Sequence, residues 1–144
     1  FCKISAAQQN PNVIFILADD MGLGKTTSTV IAALESGAER VLIVCPASLK
    51  INWKREIQNY TEKSISIVEG KKWESADFVI INYDILKNFH DIKNKEESII
   101  LQEGFDLVVV DEAHRLRGKG KIAKRSIIAH IENKYLILPL NPLN

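Results

Sequence analysis

The sequence predicts an α/β domain whose mainly parallel sheet is covered on both faces. Short apolar runs recur along the 144 residues, and longer mixed segments separate them, which is the rhythm of repeated β-α units. Most runs are continuously apolar and rich in β-branched residues, as strands buried on both faces should be. The six runs are residues 13–17, 41–44, 65–68, 78–81, 107–110 and 135–138.

Helices are expected between the strands. Residues 24–36 follow a glycine-rich turn and stop before Gly37, which can take the positive φ that is common just past a helix. Residues 84–103 are expected to be helical in part, and residues 121–132 have an amphipathic pattern. We interpret residues 1–144 as a single domain.

Another helix is expected over residues 48–60. It starts at Ser48, whose hydroxyl is well suited to cap the first turn. A tryptophan at position 53 can stack on a base, but at this spacing we expect it to pack in or beside the core. The apolar face of the helix is formed by Leu49, Trp53, Ile57 and Tyr60.

Composition excludes several classes of protein. Hydrophobic residues make up 46% of the chain and charged residues 26%, which is the mix of a globular domain rather than a disordered chain. No apolar run approaches a membrane span of about 18 residues, and no secretion signal precedes the first strand, so a membrane partner is not expected. Nineteen basic and eighteen acidic residues leave a net charge of +1, and nucleic-acid binding would therefore rest on local patches.

Cysteine usage predicts an intracellular setting. Cys2 and Cys45 do not form a CxxC pair, and Cys45 ends an apolar run, where a buried, reduced thiol is expected. The cytoplasm of a prokaryote or the nucleus of a eukaryote would fit. The chain begins with Phe1 rather than Met, and we expect it to be part of a longer protein.

A phosphate-binding loop is predicted between the first strand and the first helix, where residues 17–26 read Leu-Ala-Asp-Asp-Met-Gly-Leu-Gly-Lys-Thr. Gly22 and Gly24 would let backbone N–H groups turn towards phosphate oxygens, and the helix would add its N-terminal dipole. Lys25 would reach the β- and γ-phosphates, and the Thr26 hydroxyl would bind Mg²⁺. The expected nucleotide-binding residues are Met21, Gly22, Leu23, Gly24, Lys25, Thr26 and Thr27.

The general form of this loop has a glycine where the chain has Asp19. The alternative is a chance Gly-Lys-Thr in a surface turn. The strand before the loop and the helix after it favour phosphate binding.

A pair of acids follows the apolar run at residues 107–110. A buried strand that ends in Asp111 and Glu112 delivers two carboxylates to the carboxyl edge of the sheet, where open α/β folds bind ligands. Asp111 would hold Mg²⁺, and Glu112 would orient and deprotonate an attacking water. A solvated strand end is the alternative, and the phosphate loop upstream favours the functional interpretation.

Four blocks of sequence carry a resemblance to a known family. They are residues 18–26, residues 42–49 followed by Trp53 and Glu56, residues 79–84, and the Asp-Glu-Ala-His of residues 111–114. In this order they resemble the phosphate loop, motif Ia, motif Ib and the acidic motif of Swi/Snf-type DNA-translocating ATPases of helicase superfamily two. The resemblance spans about residues 13–138, and an aspartate at the position of Asp19 is normal in that family.

The resemblance implies a P-loop, RecA-like, three-layer lobe that binds ATP and Mg²⁺, and a second RecA-like lobe as its partner. Lys25, Asp111, Glu112 and His114 would serve hydrolysis and its coupling to motion, with Thr26 and Asp111 on the metal. Double-stranded DNA would be gripped through its backbone at motifs Ia and Ib. Here those positions are occupied by Ser48, Lys50, Asn82 and Tyr83, whose hydroxyl, amide and ammonium groups suit phosphate contacts.

The chain departs from the family pattern in three respects. Residues 139–142 read Pro-Leu-Asn-Pro where the family has a Ser/Thr-Gly-Thr-Pro motif that links the nucleotide site to the DNA grip. Gln8 and Gln9 lie too close to the first strand to be assigned as the adenine-recognising glutamine. The second lobe, which would supply an arginine finger, is absent from this chain, so hydrolysis by the chain alone should be feeble.

The sequence therefore predicts the ATP-binding lobe of a DNA-dependent ATPase that translocates on or remodels double-stranded DNA. One alternative is a nucleotide-binding or interaction module without turnover, which the altered third motif suggests. Another is a different superfamily-two enzyme, such as an RNA helicase or a restriction-enzyme motor.

Overall fold

A computed structural model of the chain describes residues 13–17, 24–89, 98–112 and 136–140, the first and last of these segments by their backbone. Its centre is a six-stranded sheet in which every pairing between the named strands is parallel. The strands are β1 (Val13–Leu17), β2 (Val41–Cys45), β3 (Ile65–Ile67), β4 (Phe78–Asn82), β5 (Leu107–Val110) and β6 (Leu136–Leu140). The predicted α/β class and parallel sheet are confirmed.

The strand order is β3-β4-β2-β5-β1-β6, which places β5 between β2 and β1. Val13 lies beside Leu107 and Ile16 beside Val110, so β1 and β5 end side by side. On the other side of β5, Val44 lies beside Val110. Segments that follow β1, β2 and β5 therefore leave the sheet at one edge.

Both faces of the sheet are buried along β2, β4 and β5, as the continuous apolar runs predict. Every residue of these three strands is buried. Since successive side chains of a strand point to opposite faces, both faces are covered there. One face packs against two helices through Val30, Ala33, Trp53 and Ile57. The other packs against shorter elements through Tyr83, Leu86, Phe89, Ile100 and Phe105.

The helix that follows β1 agrees with its prediction. α1 spans Lys25–Glu35, and its C-cap is Ser36. Gly37 follows with φ 77°, the left-handed conformation expected just past a helix.

The helix that follows β2 starts later than predicted. α2 spans Lys50–Tyr60, and a 3-10 turn over Ala47–Leu49 precedes it. Ser48 lies within that turn and caps nothing, because the turn closes on Pro46 through a Leu49 N–H to Pro46 C=O bond of 3.0 Å. The prediction of Ser48 as N-cap was therefore wrong.

The expected apolar face of α2 is only partly buried. Trp53 and Ile57 are buried and Leu49 is half-buried, as the spacing indicates. Tyr60 ends the helix with 46% of its surface exposed, so its assignment to that face was wrong.

Short elements account for the partly helical stretch predicted over residues 84–103. Tyr83–Asn88 form a 3-10 helix, and α3 spans Ile99–Gln102 with the Ser98 hydroxyl accepting from the Leu101 N–H. Residues 90–97 and the helix predicted over 121–132 lie outside the described part of the chain.

The last strand starts one residue later and ends two residues further on than predicted, so β6 includes Pro139 and Leu140. Among the described strands β6 pairs with β1 alone. A strand at the edge of a sheet tolerates proline because one side of its backbone needs no hydrogen-bond partner. The first two residues of the altered third motif are therefore strand residues here.

A polar cluster closes the amino edge of the sheet, opposite the ends of β1 and β5. The Arg40 guanidinium pairs with the Glu103 carboxylate, donates to the Glu103 carbonyl at 2.6 Å and lies 5.4 Å from the centre of the Phe105 ring. Glu103 also accepts from Trp73 Nε1 at 3.1 Å and from the Ser75 hydroxyl.

None of the helices in the described residues is long and apolar enough to span a membrane.

Candidate functional site

The glycine at the start of α1 has a left-handed backbone conformation. Gly24, the N-cap of α1, has φ 104° and ψ −5°, and its carbonyl accepts from the Ser28 N–H at 2.9 Å. Among the described residues, and apart from its chain neighbours and the backbone of α1, no atom lies within 4 Å of where a Cβ would stand, so the backbone angle rather than space requires glycine. The remaining predicted loop residues, Met21, Gly22 and Leu23, lie outside the described residues.

The first turn of α1 presents the predicted nucleotide-binding side chains. Lys25, Thr26 and Thr27 are half-buried. The Thr27 hydroxyl donates to Glu56 Oε2 at 2.9 Å, which joins α1 to α2 across 29 positions of sequence. Thr27 is thus held by a helix that the sequence interpretation assigned to the DNA grip.

Asp111 is held from three neighbouring elements as the chain leaves β5. Its N–H donates to the Val44 carbonyl at the end of β2, at 2.8 Å. Its carbonyl accepts from the Tyr83 hydroxyl, which comes from the 3-10 helix after β4. Its Oδ2 accepts from Trp53 Nε1 of α2 at 3.0 Å. Both the main chain and the carboxylate of Asp111 are therefore fixed by the fold.

The carboxylate of Asp111 lacks full compensation for its charge. Burial raises the pKa of Asp111, and the neighbouring Glu112 carboxylate also raises it. The pKa is lowered by the Trp53 hydrogen bond, the Glu112 N–H and the Lys25 ammonium. The net direction is upward. A half-buried carboxylate in this condition gains from a further cation. The effect of the Lys25 ammonium is the smallest of these influences on the pKa of Asp111.

Glu112 adopts a left-handed backbone conformation with φ 53°, and it is the non-glycine residue in the described part of the chain with a positive φ. That conformation is unfavourable for a residue with a Cβ and persists where surrounding structure enforces it. It turns the chain directly after Asp111, at the end of β5. His114 lies outside the described residues.

Two of the four predicted DNA-contacting residues, Lys50 and Asn82, are bonded to each other. The Lys50 ammonium donates to Asn82 Oδ1 at 3.1 Å and to the Val68 carbonyl at 3.0 Å. Asn82 and Tyr83 are buried, with 7% and 6% of their surfaces exposed, whereas Ser48 is exposed. Their contact with DNA stays a prediction. In this structure Lys50, Asn82 and Tyr83 bond within the domain.

Cys45 ends β2 as a buried, free thiol, which confirms the expectation for this residue. Burial, together with the Asp111 and Glu112 carboxylates, raises its pKa to about 12, against a lowering by Lys50. A thiol of this kind stays protonated and serves as a small apolar side chain.

The oxygen donors at this edge of the sheet are of the kind that magnesium prefers. No three His, Cys, Asp or Glu side chains in the described ranges converge as a metal cluster. Mg²⁺ bound with a nucleotide needs only one or two protein oxygens, since phosphates and waters complete its octahedron. The undercompensated Asp111 carboxylate and the Thr26 hydroxyl are oxygen donors of the required type.

Two side chains of α2 that hold this site were not assigned that task from the sequence. Trp53 was expected in or beside the core and as part of motif Ia, and Glu56 was expected only as part of motif Ia. The available signal was their three-residue spacing, which puts both on one face of a helix. The partners of that face, Asp111 and Thr27, depend on the strand order.

Comparison with known proteins gives one family and a set of relatives. The profile of the family described as SNF2-related domain matches residues 4–144. An ATP-dependent helicase of Bacillus subtilis is 35% identical over 130 residues, which are 85% of this chain and 22% of that protein. An ISWI chromatin-remodeling complex ATPase of Saccharomyces cerevisiae is 27% identical over 139 residues, 89% of this chain and 12% of the relative. Chromodomain-helicase-DNA-binding protein 1 of Gallus gallus is 28% identical over 144 residues, 89% of this chain and 8% of the relative.

Proposed function

This chain belongs to the family of SNF2-related domains, and we propose that it is the ATP-binding lobe of an ATP-dependent translocase or remodeller of double-stranded DNA. The observation that carries the proposal is the adjacency of β1 and β5. The segments that follow these two strands leave the sheet at one edge, so Lys25, the first residue of the helix after β1, and Asp111, the residue after β5, belong to the same edge. The relatives are named as a helicase, a chromatin-remodeling ATPase and a DNA-binding helicase, which supports the same activity.

The proposed chemistry is hydrolysis of the bond between the β- and γ-phosphates of ATP. Backbone N–H groups around Gly24 and the N-terminus of α1 would hold phosphate oxygens, and Lys25 would neutralise the β- and γ-phosphates. Thr26 and Asp111 would hold Mg²⁺, which supplies charge neutralisation on the phosphate oxygens. Glu112 would orient a water in line with the bond that breaks and accept its proton, leaving ADP and phosphate.

The chain spans between 8 and 22% of the length of the relatives compared above. We propose that a second RecA-like lobe completes the site and that the pair grips the DNA backbone through motifs Ia and Ib. Hydrolysis by this chain alone should then be feeble, because transition-state charge would lack the second lobe's arginine. A protein that works on cellular DNA would act in the cytoplasm of a prokaryote or the nucleus of a eukaryote.

A module that binds nucleotide without turnover is the second candidate function. It is favoured by β6, in which Pro139 and Leu140 continue a strand where the resembling family has its third motif. Such a module would bind ATP but show no DNA-stimulated hydrolysis in the longer protein.

The first test is equilibrium binding of ATP with Mg²⁺ to this chain by calorimetry. Lys25→Ala should weaken binding about 10- to 100-fold, since a charge-assisted hydrogen bond contributes about 1.5–3 kcal/mol. Lys87→Ala is the matched control, because Lys87 is an exposed lysine on the 3-10 helix after β4. Equal affinity of Lys25→Ala and the unchanged chain would contradict the proposed phosphate site.

The second test separates the candidate activities in the longer protein that contains this lobe. Its ATP hydrolysis is measured with double-stranded DNA, with RNA and without nucleic acid. Stimulation by duplex DNA is expected. Stimulation by RNA alone would indicate a different superfamily-two enzyme, and ATP binding without stimulated turnover would indicate the inactive module.

A further inference from the structure

Trp53 occupies an unusual position for a core tryptophan. Its side chain is 1% exposed and lies in the apolar cluster between α1, α2 and the sheet, with Ile57 and Val109. A buried indole N–H needs an acceptor, and in this cluster that acceptor is Oδ2 of Asp111 at 3.0 Å. The partner is thus the site's carboxylate, although Trp53 lies 58 positions away in sequence.

The helix that carries Trp53 is itself fixed relative to the site. Glu56, on the same face of α2, accepts from the Thr27 hydroxyl of α1 at 2.9 Å. At the start of α2, the Lys50 ammonium is bonded to the Val68 carbonyl at 3.0 Å and to Asn82 at 3.1 Å. Because α2 is bonded at Lys50 and at Glu56 and the ring of Trp53 is buried, the direction of the indole N–H is set by the fold.

The indole bond limits what the carboxylate can do. An ionised carboxylate has about four lone-pair positions on two oxygens. Trp53 takes one of them on Oδ2, and the Glu112 N–H takes another. The indole bond thereby restricts the rotation of the carboxylate, and the remaining positions are left for a cation. Partners of this kind orient metal-binding side chains, and their removal lowers metal affinity about 10- to 100-fold.

We propose that Trp53 is a positioning residue for magnesium: its indole N–H orients the Asp111 carboxylate for the Mg²⁺ that accompanies a bound nucleotide. The proposal rests on the proposed function, because it takes Asp111 as a magnesium ligand. It gives α2 two contacts with the site, because Trp53 donates to the Asp111 carboxylate and Glu56 accepts from the Thr27 hydroxyl of α1.

The chain contains a matched control for the test. Trp73 Nε1 also donates to a carboxylate, that of Glu103 at 3.1 Å, but at the amino edge of the sheet. Trp53→Phe and Trp73→Phe each replace an indole by a smaller ring and remove one N–H to carboxylate bond. Only the first change affects Asp111.

ATP binding is measured by calorimetry in excess Mg²⁺ and in EDTA, and the ratio of the two affinities is the magnesium-dependent gain. Trp53→Phe should reduce that gain about tenfold while leaving the affinity in EDTA unchanged. Trp73→Phe should leave both affinities unchanged. A Trp53→Phe chain with the full magnesium-dependent gain would overturn the proposal.

A second measurement needs no change at Trp53 and stays decisive if Trp53→Phe does not fold. The two indole N–H signals are followed by ¹H–¹⁵N NMR in the ATP-saturated chain, and Trp73→Phe assigns them. Adding Mg²⁺ should shift the Trp53 signal and leave the Trp73 signal in place. A Trp53 signal that does not move while Mg²⁺ raises the ATP affinity would overturn the proposal.

The unchanged chain separates failure of this proposal from failure of the proposed function. If ATP does not bind, or binds equally with and without Mg²⁺, the proposed site is wrong and the inference about Trp53 is overturned with it. If the unchanged chain has the gain and Asp111→Ala loses it but Trp53→Phe keeps it, Asp111 remains the ligand and only the positioning task of Trp53 is refuted.

Discussion

The ammonium of Lys50 donates to Oδ1 of Asn82 at 3.1 Å, across 32 positions of sequence. The bond joins the start of α2 to the end of β4, which are the two segments that the resemblance assigned to gripping DNA. Register explains the meeting, because β2 pairs with β4 and Cys45 lies beside Asn82. The two motifs are therefore joined directly by a hydrogen bond within the lobe.

Loss of the Lys50 ammonium should destabilise the domain. Lys50→Ala leaves the Val68 carbonyl and the buried Asn82 amide oxygen without their donor, which should lower the free energy of unfolding by about 1–3 kcal/mol. Urea unfolding measures the change. Lys71→Ala, at an exposed lysine, should unfold like the unchanged chain, and equal stability of the two variants would show that the Lys50 bonds contribute nothing.

The Tyr83 hydroxyl should contribute to stability through the main chain of Asp111. Tyr83→Phe removes only that hydroxyl and leaves the Asp111 carbonyl without its donor, so unfolding free energy should fall by about 1 kcal/mol. The same change at Tyr60, which is 46% exposed, is the control and should have no effect. A Tyr83→Phe chain as stable as the control would refute this assignment.

The thiol of Cys45 should resist alkylation in the folded chain. Its pKa is raised to about 12, mainly by burial, so the thiol is protonated at pH 8. Because the thiol is also buried, an alkylating reagent cannot reach it in the folded chain. Iodoacetamide labelling followed by mass spectrometry of the Cys45 peptide should find it unmodified in the native chain and modified in urea. Equal labelling in both conditions would exclude a buried thiol.

The same thiol predicts a loss of stability at high pH. Its pKa in the folded chain exceeds the ordinary value of 9.0, so its contribution is complete below about pH 9 and is lost as pH rises towards 12. Unfolding free energy of the unchanged chain should fall more steeply above pH 9 than that of Cys45→Ala. Parallel curves for the two chains would contradict the raised pKa.

Glu103 should stabilise the domain at neutral pH and lose that effect in acid. Burial raises its pKa, but hydrogen bonds from Ser75, Arg40 and Trp73 outweigh burial and hold the pKa below its usual 4.5. A carboxyl with a lowered pKa contributes above its ordinary value and loses the contribution as pH falls through the folded-state value.

The measurement for Glu103 is the unfolding free energy of Glu103→Gln between pH 7 and pH 3. The variant should be less stable at pH 7 by about 1–3 kcal/mol, the range for hydrogen bonds to a charged group. The difference should shrink below pH 4.5 as the carboxyl of the unchanged chain protonates. Glu74→Gln, at an exposed position, should show no difference at any pH.

Much of the fold was accessible from local patterns. The apolar runs located six strands within two residues at each end, and Gly37 marked the end of α1. Such signals depend on residues a few positions apart, because strand burial and helix termini are local requirements. Ser48 shows their limit: its type suits an N-cap, but Pro46 closes a 3-10 turn over it.

The sequence by itself determined that Lys25 lies at the start of a helix that follows a strand, and that Asp111 directly follows a buried strand. It did not determine which strands are neighbours, since six short apolar runs are equally suited to many strand orders and the hydrophobic effect has no direction. The order β2-β5-β1 decided that the chain leaves β1 and β5 at neighbouring points of one edge, near enough for Lys25 to lower the pKa of Asp111. From the sequence pattern, Trp53 could be predicted to be buried, but the acceptor of its indole N–H could not be predicted. The tertiary structure decided that this acceptor is the Asp111 carboxylate. A hydrogen bond requires a specific distance and direction, and only the assembled sheet and helices provide them.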